Sequence, residues 1–560
     1  MRAAERFRPL AWYEPWVVLA PLVVAQWTAV VVFAHVVRRN GWLFYQGGDQ
    51  TWFWTSGWVL GHGHVPETYV GWAWALAMTP LAALAGPNFL AGVPLVVLLQ
   101  VGVLLPLALL CIYEIASAIG GRVLGYWAAA WWVAAPYLVI PLFVDRYHKV
   151  FVEQALPQGL GLTGLGDFPS MVAVLVSATL LVRGLRTGAR AEVIGSAFAA
   201  GIAIGIKPAN GLFVAAPLVA LALARRWQSV LEYAAALVPA LIVLAIWKEK
   251  GSGIALLANA PLHLAAGANA PHFSEPTLWE RLTSYVPLDR TQLNNQFLGF
   301  REFFWSARVL EFIPVAGAIA VARRSIPLAA FLSTWLAAYF VVKGSSPAVD
   351  VATGSIWRLL MPAWPAYLLL GASLPLLLPR IGTALAERFR TVPRPVRAGT
   401  RALAAIGVAL FAIPAVAFAA LPSDDTRTAA KIPERSLFLP VDGGFHVRAR
   451  GIGDGSIRLT WRPPPGHAHP FYVVLRSPSR FVFPYTEDVV TQGMRCKSPG
   501  GAIRCTLEMN EIGRTRQRLF RDTPGRGRWT YRVGTAANWL DDPEQGDVLV
   551  VSEPLDVVVR

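Results

Sequence analysis

Asp49 is the first residue in the chain whose setting suggests chemistry. It sits in Tyr45-Gln46-Gly47-Gly48-Asp49-Gln50, ahead of Thr51-Trp52-Phe53-Trp54. Gly47 and Gly48 let the backbone turn tightly and let a substrate approach closely. No helix pattern demands an acid at that point. A carboxylate so placed can take a proton from an attacking hydroxyl, with Gln50 and Trp52 beside it to contact what it acts on. Three more acids stand at the ends of apolar stretches: Asp145, Glu153 and Asp167. An ionisable group in or near a bilayer is expensive and usually has a task. Asp167 also opens Asp167-Phe168-Pro169-Ser170-Met171, which has the form of a helix N-cap. Both readings of Asp167 stand. Lys207, in Lys207-Pro208-Ala209-Asn210-Gly211, and Arg358, in Trp357-Arg358-Leu359-Leu360-Met361-Pro362, are cations next to apolar spans. A departing phosphate needs such charges. The plainer alternatives are a snorkelling lysine at 207 and an Arg358–Asp350 ion pair.

His62, His64 and His148 invite a metal reading, but catalytic zinc uses three convergent ligands and His62-Gly63-His64 offers only two at a spacing of two. A divalent ion held by Asp145 or Glu153 stays open, and it is the one cofactor this sequence suggests. No Walker A lysine motif, dinucleotide fingerprint or Gly-x-Ser-x-Gly elbow occurs. ATP hydrolysis and serine-hydrolase chemistry therefore have no support.

The elements that must position these side chains are membrane helices. Of 560 residues 55% are hydrophobic and only 15% charged, too apolar for an ordinary soluble chain of this length. Eleven apolar stretches are long enough to read as spans. They lie near 16–37, 89–113, 123–144, 168–183, 193–206, 212–224, 230–247, 304–322, 326–342, 356–378 and 402–421. The net charge of +16 comes from arginines clustered at span ends. That is an orientation signal in a bilayer, not a nucleic-acid footprint. Arg2, Arg6 and Arg8 put the N-terminus in the cytoplasm, and the first span reads as a retained anchor. The basic stretch 380–401 is then cytoplasmic, and Asp49, Asp167, Lys207 and Arg358 share the outer side. Residues 41–88, rich in Trp, Gly and His, read as interfacial helices. Leu278-Trp279-Glu280-Arg281 reads as a short amphipathic helix.

Residues 423–560 change character. Alternating runs at 456–461, 471–475, 548–551 and 555–559 predict strands, and a β-sandwich outside the cytoplasm fits them. Two domains follow, a transmembrane one over 1–422 and the sandwich over 423–560. Cys496 and Cys505 flank Pro499-Gly500-Gly501. A disulfide across that turn fits an oxidising compartment. Two free thiols are the alternative.

This order of features resembles the GT-C fold of polyprenyl-phosphate-dependent membrane glycosyltransferases. That class includes the protein O-mannosyltransferases, the lipid A aminoarabinose transferase and the mycobacterial arabinosyltransferases. Gly47-Gly48-Asp49-Gln50 occupies the place of their first-loop acid. Asp145, Glu153 or Asp167 fills the second acidic position. The Lys207-Pro208 turn and Arg358 at the head of a late span also match. Many relatives have two adjacent acids in the first loop, whereas Gln50 follows Asp49 here. The resemblance covers roughly residues 10–380. It implies an inverting transferase that takes a sugar from a polyprenyl-phosphate donor among the membrane lipids. The acceptor would be a glycan, lipid or protein outside the cytoplasm, and Asp49 would act as base. Abundant Arg, Ala, Gly and Pro suggest a bacterial plasma membrane and a cell-wall acceptor. The rival expectation is a lipid or solute transporter, or flippase, without chemistry. It predicts internal repeats and broken helices near the midplane. A third is a scaffold whose β domain recruits partners.

Overall fold

A computed structural model describes residues 15–36, 49–66, 68, 70–85, 89–252, 288–305, 307–378, 399–424, 444–453, 455–463, 471–477, 482–486, 490–491, 494–495, 502–506, 510–524, 526–536, 548–553 and 555–559. The amphipathic segment at 278–281, most of the basic stretch 380–401 and Cys496 lie outside the described residues.

Each apolar stretch contains helix, but the helices differ in length. Among the described residues six are long and apolar enough to cross a membrane: Pro15–Val36, Gly92–Gly120, Asp167–Thr187, Trp227–Gly251, Ile326–Gly344 and Ala402–Ala420. The rest of the eleven are shorter, for local reasons. Arg122–Leu138 has 17 residues with Pro136 near its end, and gives way to a 3-10 turn at Ile140–Leu142. Arg190–Ile206 has 17 residues and stops at the Lys207-Pro208 step, where proline cannot continue the ladder. Ala307–Ala322 has 16. Met361–Leu377 is apolar but begins and ends in 3-10 turns. Many outward side chains are apolar and exposed, among them Val31, Leu231, Ile413 and Val416, as expected of faces that meet lipid. The chain is a multi-pass helical protein with a C-terminal β region.

Contacts divide the chain into two compact units. One comprises Met1–Val30, Glu67–Ala75 and Leu98–Ser423; the other comprises Val31–Pro66, Leu76–Val97 and Asp424–Arg560. In the first unit, Asp167–Thr187 and Arg190–Ile206 form an antiparallel hairpin around Gly188. Its φ of +76° is the left-handed value that favours glycine after a helix. Polar contacts zip the hairpin. Ser177 and Ser196 each donate to the other's carbonyl, at 2.7 and 2.8 Å. At the Gly188 end, buried Glu192 accepts from Thr187 Oγ1 at 2.5 Å and from Arg183 Nε at 3.3 Å. Inside an apolar bundle these bonds satisfy groups that would otherwise be costly.

In the second unit the strands at 456–462, 471–477, 548–551 and 555–559 form as the alternation predicts. The central strand, Gly527–Ala536, was not among them. It pairs antiparallel with Phe471–Ser477 on one side and with Val548–Val551 and Leu555–Val559 on the other. His446–Gly453, Ser456–Arg462 and Leu519–Asp522 make a second antiparallel sheet. The two sheets share one core, where Ile457, Leu459 and Trp461 meet Tyr472, Val474, Tyr531 and Val533.

Candidate functional site

Asp167, Lys207 and Arg358 meet. The Asp167 side chain is 1% exposed. One carboxylate oxygen accepts from Lys207 Nζ, and the other accepts from Arg358 Nε at 3.0 Å. Each group is placed by its own stretch of chain.

Asp167 is the first residue of its helix, not the cap. Gly166 occupies the cap position and no side chain caps there, so the N-cap reading of Asp167 is corrected: its carboxylate is turned to the two cations instead. The loop before it is held from outside, because Gln100 Nε2 donates to the Thr163 carbonyl and Trp74 Nε1 to the Gly164 carbonyl. Gln100 reaches the loop from the start of a π-turn, Gln100–Leu104, a helix irregularity common at functional sites.

Lys207 follows the last turn of Arg190–Ile206 in extended backbone. Buried Asn210 fixes the turn after it. Its Nδ2 donates to the Ala203 carbonyl at 2.8 Å, its own N–H donates to the Lys207 carbonyl at 2.9 Å, and its Oδ1 accepts from Tyr339 Oη at 2.7 Å. Lys207 is thus part of a built corner and not a freely snorkelling lysine.

Arg358 lies in the short helix Ser355–Leu359, entered through Gly354 at φ +75°. A β-carbon at Gly354 would also come within 2.8 Å of Val150. Asp350 accepts from the Ala352 and Thr353 amides at 3.1 and 3.0 Å, while Arg358 reaches Asp167. An aromatic frame holds the neighbouring Trp357. Its indole donates to Tyr147 Oη at 2.9 Å, and Tyr147 donates in turn to the Val351 carbonyl. Burial pushes the Tyr147 phenol up, so it stays a donor. Sequence reasoning missed this frame, since nothing in the sequence pairs residues 147 and 357.

Beside the cluster lies an apolar cavity of about 680 Å³. It is lined by neighbours of the charged residues, not by the charges: Met171 one turn after Asp167, and Trp357 and Met361 flanking Arg358. Phe151, Leu156 and Phe304 continue the wall. A volume in this range suits a small-molecule or lipid-sized ligand. Lys207 and Arg358 are cations that can hold an anionic head while the cavity beside them takes an apolar tail.

The other residues singled out by sequence are placed as follows. Asp49 opens the helix Asp49–Gly61, which also carries buried Gln50 and the backbone of Trp52. The side chains of Asp49 and Trp52 lie outside the described residues. Asp145 begins a short helix, Asp145–Val150, and Glu153 sits in a π-turn, Phe151–Ala155. Among the described residues no group of three His, Cys, Asp or Glu side chains could hold a metal ion. His62 and His148 contact the carbonyls of Trp58 and Phe143, and His64 that of His62. Cys505 is in the strand Ala502–Thr506, but its side chain, like Cys496, is outside the described residues. Cys111 is a buried free thiol.

No family model matches the sequence, and no curated protein matches it. Solved structures do align. The apo oligosaccharyltransferase of Archaeoglobus fulgidus aligns over 74% of this chain and 57% of its own, at 12% identity and a TM-score of 0.37. The oligosaccharyltransferase AglB of the same organism, in complex with an inhibitory peptide and a dolichol-phosphate, aligns with the same values. The chain thus spans little more than half the length of these proteins, and a likeness at this level decides neither family nor activity.

Proposed function

We propose that this chain is a membrane glycosyltransferase of GT-C type. It moves a sugar from a polyprenyl-phosphate donor to an acceptor hydroxyl on the outer side of a bacterial plasma membrane, such as that of a cell-envelope glycan, lipid or protein. The observation that carries the reading is the Lys207–Asp167–Arg358 cluster at the rim of an apolar cavity. A charged head and a long apolar tail are the two halves of such a donor. The acceptor oxygen forms a bond to the anomeric carbon. The bond from that carbon to the phosphate oxygen breaks, and its electron pair stays on the phosphate, where Lys207 and Arg358 stabilise it. The acceptor proton goes to a base, for which Asp49 is proposed on sequence grounds. General-base help of this kind is worth about 100- to 10,000-fold. One base opposite the leaving group gives inversion.

Transfer of radiolabelled sugar from a panel of polyprenyl-phosphate sugars tests this, with purified wild type and Asp49→Asn compared. Transfer from one donor, lost in the variant while donor binding persists, is the expected result. Wild-type turnover in the variant would remove Asp49 from the mechanism. The rival is lipid transport without chemistry, and the helix interruptions at Gln100–Leu104, Pro208–Val214 and Met361–Ala363 favour it. Donor binding with no transfer by wild type, followed by lipid flipping in vesicles, would decide for it.

A further inference from the structure

We infer that the outward face of the three-stranded sheet in the β region is a docking surface for a linear phosphodiester polymer. The sheet is built from His446–Gly453, Ser456–Arg462 and Leu519–Asp522. One face goes into the core, where Val447, Ile457, Leu459, Trp461 and Phe520 pack. Alternation along each strand leaves the other face to arginine. Arg448 and Arg450 come from the first strand, Arg458 and Arg462 from the second and Arg521 from the third, and all are exposed. His446, Thr460 and Leu519 fill the remaining outward places. The register sets the arginines side by side. Arg458 lies opposite Arg450 on one neighbour and opposite Arg521 on the other. Adjacent strands are about 4.8 Å apart, and alternate residues on one strand about 7 Å. Like charges directly opposite each other destabilise a sheet. None of these outward places carries an acid, and among the described residues no carboxylate pairs with Arg448, Arg450, Arg458 or Arg462. Arg521 donates to Ser456 Oγ at 3.1 Å. A partner that brings negative charge to this face relieves the opposition that the fold itself builds in.

The layout of the face selects the partner. A single small anion reaches only part of a field that crosses three strands, whereas a chain of anions meets it along its length. Guanidinium groups pair bidentately with phosphate oxygens. In a phosphodiester polymer the charge sits in the chain itself, so successive charges can lie against one face. In a polyuronate the charge is carried on sugar rings, and these outward places hold no aromatic side chain on which a ring could stack. A face that sinks into a bilayer carries a stripe of Trp, Phe and Leu. Here the exposed apolar neighbours are Leu519 and, at the bulged end of the first strand, Ile452, too few to seat a bilayer.

The test is fluorescence anisotropy of a labelled glycerol phosphate oligomer with the full-length protein in neutral detergent. Wild type should bind it, and binding should weaken about tenfold or more between 50 and 200 mM salt. Arg450→Gln combined with Arg458→Gln should cut affinity about tenfold and flatten the salt dependence, since two phosphate contacts are lost. The same pair should not lower the melting temperature, because it removes two like charges that face each other. If it does melt early, Arg448→Gln with Arg462→Gln repeats the measurement. Removing the same charge at exposed Arg290 and Arg308, by changing both to Gln, should leave affinity unchanged. Equal losses in the sheet pair and the Arg290–Arg308 pair would mean attraction by overall charge and would overturn the assigned face. Wild-type affinity in the sheet variants would overturn it as well. So would a wild-type protein that ignores the oligomer, prefers an oligogalacturonate or binds only anionic vesicles.

Discussion

Asp167 has two partners and almost no water. Removing its charge takes the shared carboxylate from Lys207 and Arg358, whose side chains are 21% and 28% exposed. Breaking a buried pair in this way costs about 3 kcal/mol. Asp167→Asn should lower the melting temperature in detergent and weaken binding of a prenyl phosphate in parallel, whereas a base variant such as Asp49→Asn should affect turnover and spare the melt. Asp167, Lys207 and Arg358 were legible one by one, because charges at the ends of apolar spans have few uses. Their union was not. They are 40 and 191 residues apart, and nothing local to any of them names the others, so a cap, a snorkel and an Asp350 pair were equally good local explanations.

The helices were legible where apolarity alone defines them, and less so where backbone chemistry interrupts them. Hydropathy averages over a window. It does not register the π-turn at Gln100–Leu104 or the 3-10 corner at Pro208–Val214, though these present Gln100 to the Asp167 loop and Asn210 to the Lys207 turn. The central strand Gly527–Ala536 did carry a signal, the alternation Trp529-Thr530-Tyr531-Arg532-Val533. One helix junction gives a sharp prediction. A β-carbon on Gly71 would fall 2.2 Å from the carbonyl oxygens of Gly205 and Ile206, and backbone cannot swing aside as a side chain can. Gly71→Ala should cost about 1–3 kcal/mol and weaken phosphate binding, because Ile206 directly precedes Lys207. Gly211→Ala, whose added carbon meets nothing within 4 Å, should stay within about 0.5 kcal/mol of wild type. Thermal melts of the two variants side by side check the pair.

Across the molecule as a whole, stability should respond to alkali through the β region. Tyr531 donates to Asp522 at 2.6 Å, and Arg476 bridges the same carboxylate at 3.0 and 2.8 Å. Burial first, and Asp522 second, push the Tyr531 phenol up from its ordinary 10.0. The folded chain therefore keeps this proton where the unfolded chain gives it up. The contribution is whole below pH 10 and drains away as pH climbs through the folded value. Near-UV circular dichroism melts from pH 8 to 11 should show the loss, and Tyr531→Phe should flatten it. The ion cluster has a different consequence, one of order in time. Synthesis runs from the N-terminus, so Asp167 enters the membrane long before Arg358 exists. The chain solves this within a single helical hairpin: Lys207 arrives 40 residues after Asp167, directly after the partner helix of the same zipped pair. A nascent chain ending between Gly211 and Arg358 already carries a neutralised carboxylate and can rest in the bilayer. The arginine that later completes the site then joins as a latecomer to a pair that was safe without it, so assembly of the binding site and survival of the half-made protein are separate events.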